Sequence, residues 1–480
     1  MVMLVNFANV LNNNFMRKTV LDCFEKLIRD IKNAPCKIDL NLVSKTFSFI
    51  YSAYGIKLNP YNEQHLLFSL EVARITTHLG MDTYSIIIAL LHNTIENSVI
   101  SYEDIATSFG SKIADMVKGL TGLNYIEGST PFISEEQRKN ENYRNLLYGA
   151  SKDIRVLVVK LADRLHNMRI LDDLPENQRE KVALEAIDIY APLAEKIGLR
   201  DFKEELQDLA FAKLNPKERS LILTQLKSLQ KDNKSFIEGI TIDLKNMLVK
   251  AGLHNIRISG REKKPYSIWK KIQSTTLSFK DISDIFGFRI IANSRSDCYS
   301  VLSIVHTAYN CVQEELRDYI TLPKTNEYQS LHTIVVTPNG KRIEIQIRTE
   351  EMNGIAEFGK AAHWRYKQGE VDEKYNKESP VWIYDVLEIF QGTCSPKETL
   401  ENVKLKIAYD EIVCFTPKGK SVSMRKGATI LDFAFHIHQK TGLKCIAGRI
   451  NGEIVPIYHK LQSGDRIEII CSNNYQACKK

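Results

Sequence analysis

Hydrophobic spacing changes period once along this chain, and that change constrains the fold more than any other feature. Up to about residue 230, apolar residues recur every three or four positions, as in Val156, Val159, Leu161, Leu165 and Met168, while Gly and Pro are sparse. This is the period of helices that bury one face. After about residue 255 the texture turns to short strand-like runs, Phe286–Ile291, His332–Val336 and Ile343–Ile347, with a helix expected over Asp297–Tyr309. Asn339-Gly340 separates two of these runs, and a tight hairpin turn favours that pair because both central residues need positive φ. Gly122–Phe132 reads as a surface loop within the helical part, and the charged stretch Lys367–Ser379 as the start of a linker. From Glu411 a small module follows: strands Ile412–Phe415 and Ser421–Met424 around the turn Pro417-Lys418-Gly419, a helix from Leu431 to His438, then strands Ala447–Ile450 and Arg466–Cys471. At roughly 150 residues per domain, 480 residues make about three domains. The expected class is a multidomain α + α/β protein.

Composition adds bounds. Lys+Arg exceeds Asp+Glu by 65 to 58, a net charge of +7, which permits anionic partners without requiring them. The nine cysteines include no Cys-x-x-Cys pair, which fits a reducing compartment and argues against a disulfide scaffold or a Cys-based zinc site. No apolar run approaches a membrane span, and the start, Met-Val-Met-Leu-Val-Asn-Phe, lacks the basic segment and cleavage site of a signal peptide. A cytoplasmic location is expected.

The strand over Ile343–Thr349 sets Ile343, Ile345 and Ile347 on one face and Glu344, Gln346 and Arg348 on the other. Alone, it reads as an amphipathic edge strand. Its neighbours carry more. Lys324, Asn326, Tyr328 and His332 crowd the segment before the hairpin, and Asp284 precedes strand Phe286–Ile291. Arg261, Lys263, Lys264, Lys270 and Lys271 surround Tyr266 and Trp269. A carboxylate on each of two adjacent strands is a minimal holder for Mg²⁺, which leaves room for phosphate oxygens. Basic side chains neutralise phosphates, and an exposed Tyr can stack on a base. The residues alone suggest a nucleotide-plus-metal site.

The motifs go further. Gly260-Arg261…Lys263…Tyr266-Ser267-Ile268-Trp269-Lys270-Lys271, Asp284…Phe288-Arg289, Asp318-Tyr319-Ile320…Pro323-Lys324…Asn326…Tyr328-Gln329-Ser330-Leu331-His332-Thr333, Glu344-Ile345-Gln346-Ile347-Arg348-Thr349 and Ala356-Glu357-Phe358-Gly359…Ala361-Ala362-His363-Trp364 resemble the synthetase domain of the RelA/SpoT family. These enzymes make and destroy (p)ppGpp. Residues 160–169 resemble the family's HD hydrolase domain, and residues 410–473 its TGS domain. The resemblance implies an all-helical HD domain over 1–200, a helical connector over 201–240 and a nucleotidyltransferase-like α/β synthetase domain over 241–372. A linker over 373–409 and a small ubiquitin-like TGS domain over 410–473 complete it. Long members continue into further regulatory domains, so the sequence reads as C-terminally shortened or as a fragment.

The resemblance implies transfer of pyrophosphate from ATP to the 3′-hydroxyl of GDP or GTP. Asp284 and Glu344 would hold Mg²⁺, with Glu344 also accepting the hydroxyl proton. Arg261, Lys263, Lys271 and Arg289 would bind ATP. Lys324, Asn326, Tyr328, His332, Gln346 and Arg317 would bind GDP or GTP, with Tyr328 stacked on guanine. His438, with His436 nearby, matches a TGS position that implies contact with tRNA, and hence ribosome and uncharged tRNA as partners. Self-association is left open.

Departures from the family pattern matter. Glu327 stands where Gly is usual. Glu315-Leu316-Arg317-Asp318 mixes two motif types and leaves the acceptor preference open. Glu262 and Lys264 replace a usual Pro and His. In the HD domain, Mn²⁺ is normally held by two His and two Asp, positions that fall here on Phe68, His92, Asn93 and Asp163. The following Glu-Asp pair is Glu96-Asn97. Phe has no lone pair to donate and Asn is a weaker ligand than Asp, so hydrolase activity is expected to be lost. The leading expectation is a synthetase with a structural HD domain. A second is a non-catalytic nucleotide-sensing or ribosome/tRNA-binding protein, favoured by Glu327. A third is a surviving hydrolase in which His65 joins His92 and Asp163 as ligands.

Overall fold

A computed structural model describes residues 16–55, 60–97, 99–121, 134–274, 285–312, 315–324, 326–359, 381–391, 395–408 and 411–472. Asp284, the loop Gly122–Phe132, the stretch Lys367–Ser379 and the motif residues Ala361, Ala362, His363 and Trp364 lie outside them. The chain forms two compact units. One comprises residues 1–194, 205–213 and 360–407, the other residues 195–204, 214–359 and 408–480.

The first unit is helical. Three of its helices carry the residues that matter to function: α1 (Pro60–His78), α2 (Thr83–Leu91) and α3 (Arg155–Arg169). Every residue of α2 from Ser85 to Leu91 is buried, so it is a central helix with no polar face. Its N-cap Asp82 accepts from the Ser85 amide at 2.9 Å. The same carboxylate accepts from Arg155 at 2.6 Å, and Arg155 is also held by Asp153. This buried ionic node ties the starts of α2 and α3. His92 lies about 15 Å along from Asp82 and Asp163 about 12 Å along from Arg155, at 1.5 Å per helical residue.

The second unit contains a mixed sheet of β1 (Arg257–Glu262), β2 (Phe286–Ala292), β3 (Asn310–Cys311), β4 (Arg317–Asp318), β5 (Leu331–Val336) and β6 (Arg342–Thr349). The order is β1-β2-β6-β5-β3, with β4 pairing β5. β2 and β6 are parallel, and β5 and β6 form the antiparallel hairpin that Asn339-Gly340 signals, but only Gly340 of the pair has positive φ (75), because the loop is longer than a two-residue turn and closes with the Thr337 amide on the Lys341 carbonyl. The edge-strand reading of Ile343–Thr349 is corrected: β6 is hydrogen-bonded on both sides. Ile343, Ile345 and Ile347 are buried on one face, but so are Gln346 and Arg348 on the other. The sheet register sets Glu344 beside Gly287 and Ile334, and Gln346 between Arg289 and His332.

Four helices of this unit matter to the site: α4 (Arg200–Leu214), of which residues 200–204 and Leu214 belong to this unit, α5 (Pro216–Lys250), α6 (Pro265–Ser274) and α8 (Glu350–Phe358); α7 (Arg295–Ala308) fills the expected helix between β2 and β3. α8 ends at Gly359, with φ 55. A Cβ there would lie 2.0 Å from the Ile197 carbonyl oxygen, so only Gly fits.

Residues 411–472 form the compact C-terminal module. Strands β7 (Glu411–Phe415) and β8 (Ser421–Arg425) pair, and β9 (Cys445–Ile450) pairs with β10 (Glu453–Val455) and β11 (Ile467–Cys471). Helix α9 (Ile430–Ile437) packs Ile430 and Phe433 into a core with Cys414, Cys445 and Ile467, and α10 (Gln439–Lys444) follows. The multidomain α + α/β class is what the structure has. Among the described residues no helix is long and apolar enough to cross a membrane.

Candidate active site

Glu344 projects from the middle of β6 into a dense polar cluster. One oxygen faces His332 Nδ1 at 3.2 Å and accepts from Gln346 Nε2 at 3.0 Å, and the other faces Lys263 Nζ at 3.4 Å. Burial opposes the charge on Glu344, yet His332, Lys263 and Gln346 outweigh it and hold its pKa well below the usual carboxylate range. Burial lowers the His332 pKa, and Arg200 and Lys324 add to this against Glu344. The imidazole is therefore neutral near pH 7. Its Nδ1–H donates to Glu344, and its Nε2 accepts from the Tyr328 hydroxyl at 2.7 Å.

Cations surround this chain of bonds. Lys324 Nζ lies 5.0 Å from the Tyr319 ring and 5.6 Å from the Tyr328 ring, and Arg348 Cζ lies 5.9 Å from the Tyr328 ring. Arg261 donates through both terminal nitrogens to Glu204, each at 3.2 Å, and Glu204 also accepts from Arg200 at 2.9 Å. Arg289 bonds Glu357 at 2.6 Å. Arg348 is wholly buried, and burial together with Arg289 and Arg200 pushes its pKa down to about 10 despite Tyr328.

The sequence-predicted residues thus divide. Glu344, Lys263, His332, Gln346, Tyr328 and Lys324 come together directly. Arg261 and Arg289 are held by glutamates, and Lys271 sits half-buried in the last turn of α6. Arg317 is the register partner of His332, but its side chain is exposed and donates to the Leu316 carbonyl. Asn326 shapes the turn: its amide donates to the Glu195 carbonyl, and its oxygen accepts from the Tyr328 amide. Tyr328 is only 9% exposed, which corrects the picture of an exposed ring. Sequence reasoning misses Arg200 and Glu204, which no local pattern links to this sheet. It also gives Arg348 no role, although alternation along β6 places it on the Glu344 face.

Glu327 has φ 64, a conformation that costs a non-glycine residue about 1–2 kcal/mol. Its amide donates to the Lys324 carbonyl at 2.8 Å, which fixes the turn. Glu327→Gly is therefore expected to raise the melting temperature by about 2 °C, the strain relieved exceeding the entropy Gly adds to the unfolded chain. Scanning calorimetry of the two proteins checks this.

Residues that could hold a metal differ between the units. In the sheet, Glu344 supplies an ionised hard oxygen among cations suited to phosphate, which fits Mg²⁺ bound by few protein ligands and by substrate oxygens. In the helical unit the residues present do not fit Mn²⁺. The Phe68 ring lies 5.8 Å from the His92 ring and 4.7 Å from that of His166. His92 is buried, donates from Nδ1 to the Ala89 carbonyl at 2.6 Å, and among the described residues has no hydrogen bond at Nε2. Asp163 bonds Lys160 and Asn167, each at 2.8 Å. Burial works against its charge, but Lys160 and Arg164 keep it ionised. Asn97 donates to the Tyr54 hydroxyl. Phe68, Asn93, Glu96, Asn97, Asp163 and His65 line a cavity of about 880 Å³. Among the described residues no three His, Cys, Asp or Glu side chains gather as a metal-ligand set, so His65, His92 and Asp163 do not form one.

In the C-terminal module His438 is exposed and caps α10, its Nδ1 accepting from the Lys440 amide at 3.0 Å.

Comparison with known proteins gives three family matches along the chain. Residues 260–371 match the region found in RelA / SpoT proteins, residues 47–200 an HD domain and residues 412–471 a TGS domain. A GTP pyrophosphokinase of Myxococcus xanthus is 40% identical over 90% of this chain and 57% of its own length. The GTP pyrophosphokinase rsh of Brucella ovis is 39% identical over 91% of this chain and 58% of its own. A guanosine-3′,5′-bis(diphosphate) 3′-pyrophosphohydrolase of Aquifex aeolicus is 39% identical over 90% of this chain and 61% of its own. The chain therefore spans about three fifths of the length of these relatives.

Proposed function

Because the chain belongs to the RelA/SpoT family, with HD, synthetase and TGS domains in that order, we propose that it is a (p)ppGpp synthetase whose HD domain no longer hydrolyses the product. Pyrophosphate would move from ATP to GDP or GTP. The 3′-hydroxyl oxygen forms a bond to the β-phosphorus of ATP, the bond from that phosphorus to the oxygen of the α-phosphate breaks, and AMP leaves. The observation that carries the reading is Glu344, buried yet ionised, fixed by His332, Gln346 and Lys263.

In this reading the ATP phosphates draw Lys263 off Glu344, which raises the carboxylate's basicity so that it takes the hydroxyl proton, and His332, itself anchored by Tyr328, keeps the carboxylate aimed. Lys263, Arg261, Lys271 and Arg289 hold the ATP phosphates, and Lys324, Asn326, Gln346 and Arg317 serve the acceptor. Such chemistry is mostly positioning and charge neutralisation. Asp284 and Glu344 would hold Mg²⁺, which when bound offsets the charge of the phosphate oxygens. Guanine stacking on Tyr328 requires Lys324 to leave the ring. Loss of hydrolysis is supported by the Phe68 ring among His92 and His166, and by the neutral side chains of Asn93 and Asn97. The TGS domain would meet ribosome and uncharged tRNA through His438, in the cytoplasm.

The test mixes purified protein, Mg²⁺, β-labelled ATP and either GDP or GTP, then separates the nucleotides. Label on the guanosine nucleotide is the expected result, and the better acceptor is read from the same assay. No transfer, even with ribosomes and uncharged tRNA added, would replace this reading with that of a nucleotide-sensing protein.

A further inference from the structure

Arg348 has no part in the mechanism above, yet it is the least comfortable side chain in the sheet. It is fully shielded from solvent, and its Nε, Nη1 and Nη2 meet no hydrogen-bond acceptor among the described residues. Glu357, a carboxylate that could answer its charge, is bonded to Arg289. A buried charge without acceptors is costly, and replacing one with an apolar side chain of similar volume is often neutral or stabilising. Packing alone therefore gives no reason for Arg at this position. What the guanidinium does face is the Tyr328 ring, 5.9 Å from Cζ and within cation–π range. The hydroxyl of that ring bonds His332, and His332 bonds Glu344. Arg348 also shares one face of β6 with Glu344 and Gln346.

We propose that Arg348 is a positioning residue for the guanosine-nucleotide acceptor, acting through Tyr328. Its charge holds the phenol ring in the orientation that aims the hydroxyl at His332 and presents the ring to the acceptor base. The proposal rests on the synthetase reading. It predicts that stability and acceptor binding move apart when the charge is removed.

The experiment compares wild type, Arg348→Met and Arg348→Lys as full chains. Each is melted by calorimetry, titrated with GDP alone, and assayed with GDP and ATP varied separately. Arg348→Met should melt at or above the wild-type temperature, bind GDP about tenfold more weakly, and show a matching rise in KM for GDP. Its KM for ATP should stay within twofold. Arg348→Lys, which keeps the charge, should recover part of the GDP binding. Two results would overturn the proposal. One is a lower melting temperature with all constants shifted together, which marks a packing role. The other is a raised KM for ATP with GDP binding unchanged, which marks a direct ligand of the donor phosphates. A wild type that binds GDP but transfers no label refutes the synthetase reading, while the GDP titrations still decide the role of Arg348. A wild type that does not bind GDP overturns both.

Discussion

Glu344→Gln should reduce pyrophosphate transfer by at least about 10³-fold while leaving the fold intact. The carboxylate sits directly among His332, Gln346 and Lys263, and those neighbours keep it ionised against the penalty of burial. Gln keeps the shape and one acceptor oxygen, so His332 Nδ1 retains a partner. It removes the charge that would bind Mg²⁺ and the lone pair that would take the hydroxyl proton. The stability cost is that of weakened charge-assisted bonds, about 1–2 kcal/mol, a fall of a few degrees in melting temperature. Circular dichroism, a melting curve and the labelled-transfer assay on the same preparation separate the two effects. Undiminished transfer would remove Glu344 from the chemistry, whatever the merits of the fold.

The sequence announces this residue only in part. Alternation along Ile343–Thr349 separates the isoleucines from Glu344, Gln346 and Arg348, because a period of two is local geometry. It does not reveal that both faces are buried. That depends on β2 and β5 flanking β6 and on Arg200 arriving from a distant helix, none of which leaves a mark within the strand. Strand β1 escapes the sequence pattern for a related reason: Arg-Ile-Ser-Gly-Arg-Glu carries little apolar signal, and its pairing with β2 makes it a strand. Tyr328 reads as exposed because aromatic residues in polar surroundings often are, but Lys324 and Arg348 enclose it. Glu327 is legible because Glu in place of a usual Gly raises a backbone question, and φ 64 answers it. In the helical unit, the family spacing puts a non-ligand at Phe68, and the structure supplies what spacing cannot: its ring is packed against two imidazoles.

Phe68→His combined with Asn93→Asp should give the helical unit a metal site with four protein ligands. The two changes would restore the two imidazoles and two carboxylates of the family pattern, joining His92 and Asp163. His92 is prepared for it. Its Nδ1–H is fixed on the Ala89 carbonyl, leaving the Nε2 lone pair as the free donor, the arrangement in which metal-ligating imidazoles are usually held. Asp163 is already ionised, and a divalent ion would compete with Lys160 for it. Without metal the double variant should be less stable than wild type by about 2–4 kcal/mol, because a packed aromatic ring is lost and a carboxylate is added to partly buried surroundings. With Mn²⁺ at a hundred times its dissociation constant, binding should return about 2.7 kcal/mol, a rise of roughly 5–10 °C in melting temperature. Both proteins are measured in the Glu344→Gln background, which removes the carboxylate proposed for Mg²⁺, and there the chain with its own Phe68 and Asn93 should not respond to Mn²⁺. Calorimetry with and without MnCl₂, together with equilibrium dialysis, measures both. In that background, a chain with Phe68 and Asn93 that binds Mn²⁺ as tightly as the variant would end the argument that the site is lost, and a variant that binds none would show that Phe68 and Asn93 are not the ligand positions. Metal binding alone should not bring back hydrolysis. Asn97 still stands where the family carries a second carboxylate, and its amide is committed to the Tyr54 hydroxyl, so a third substitution, Asn97→Asp, is needed before cleavage of (p)ppGpp is expected.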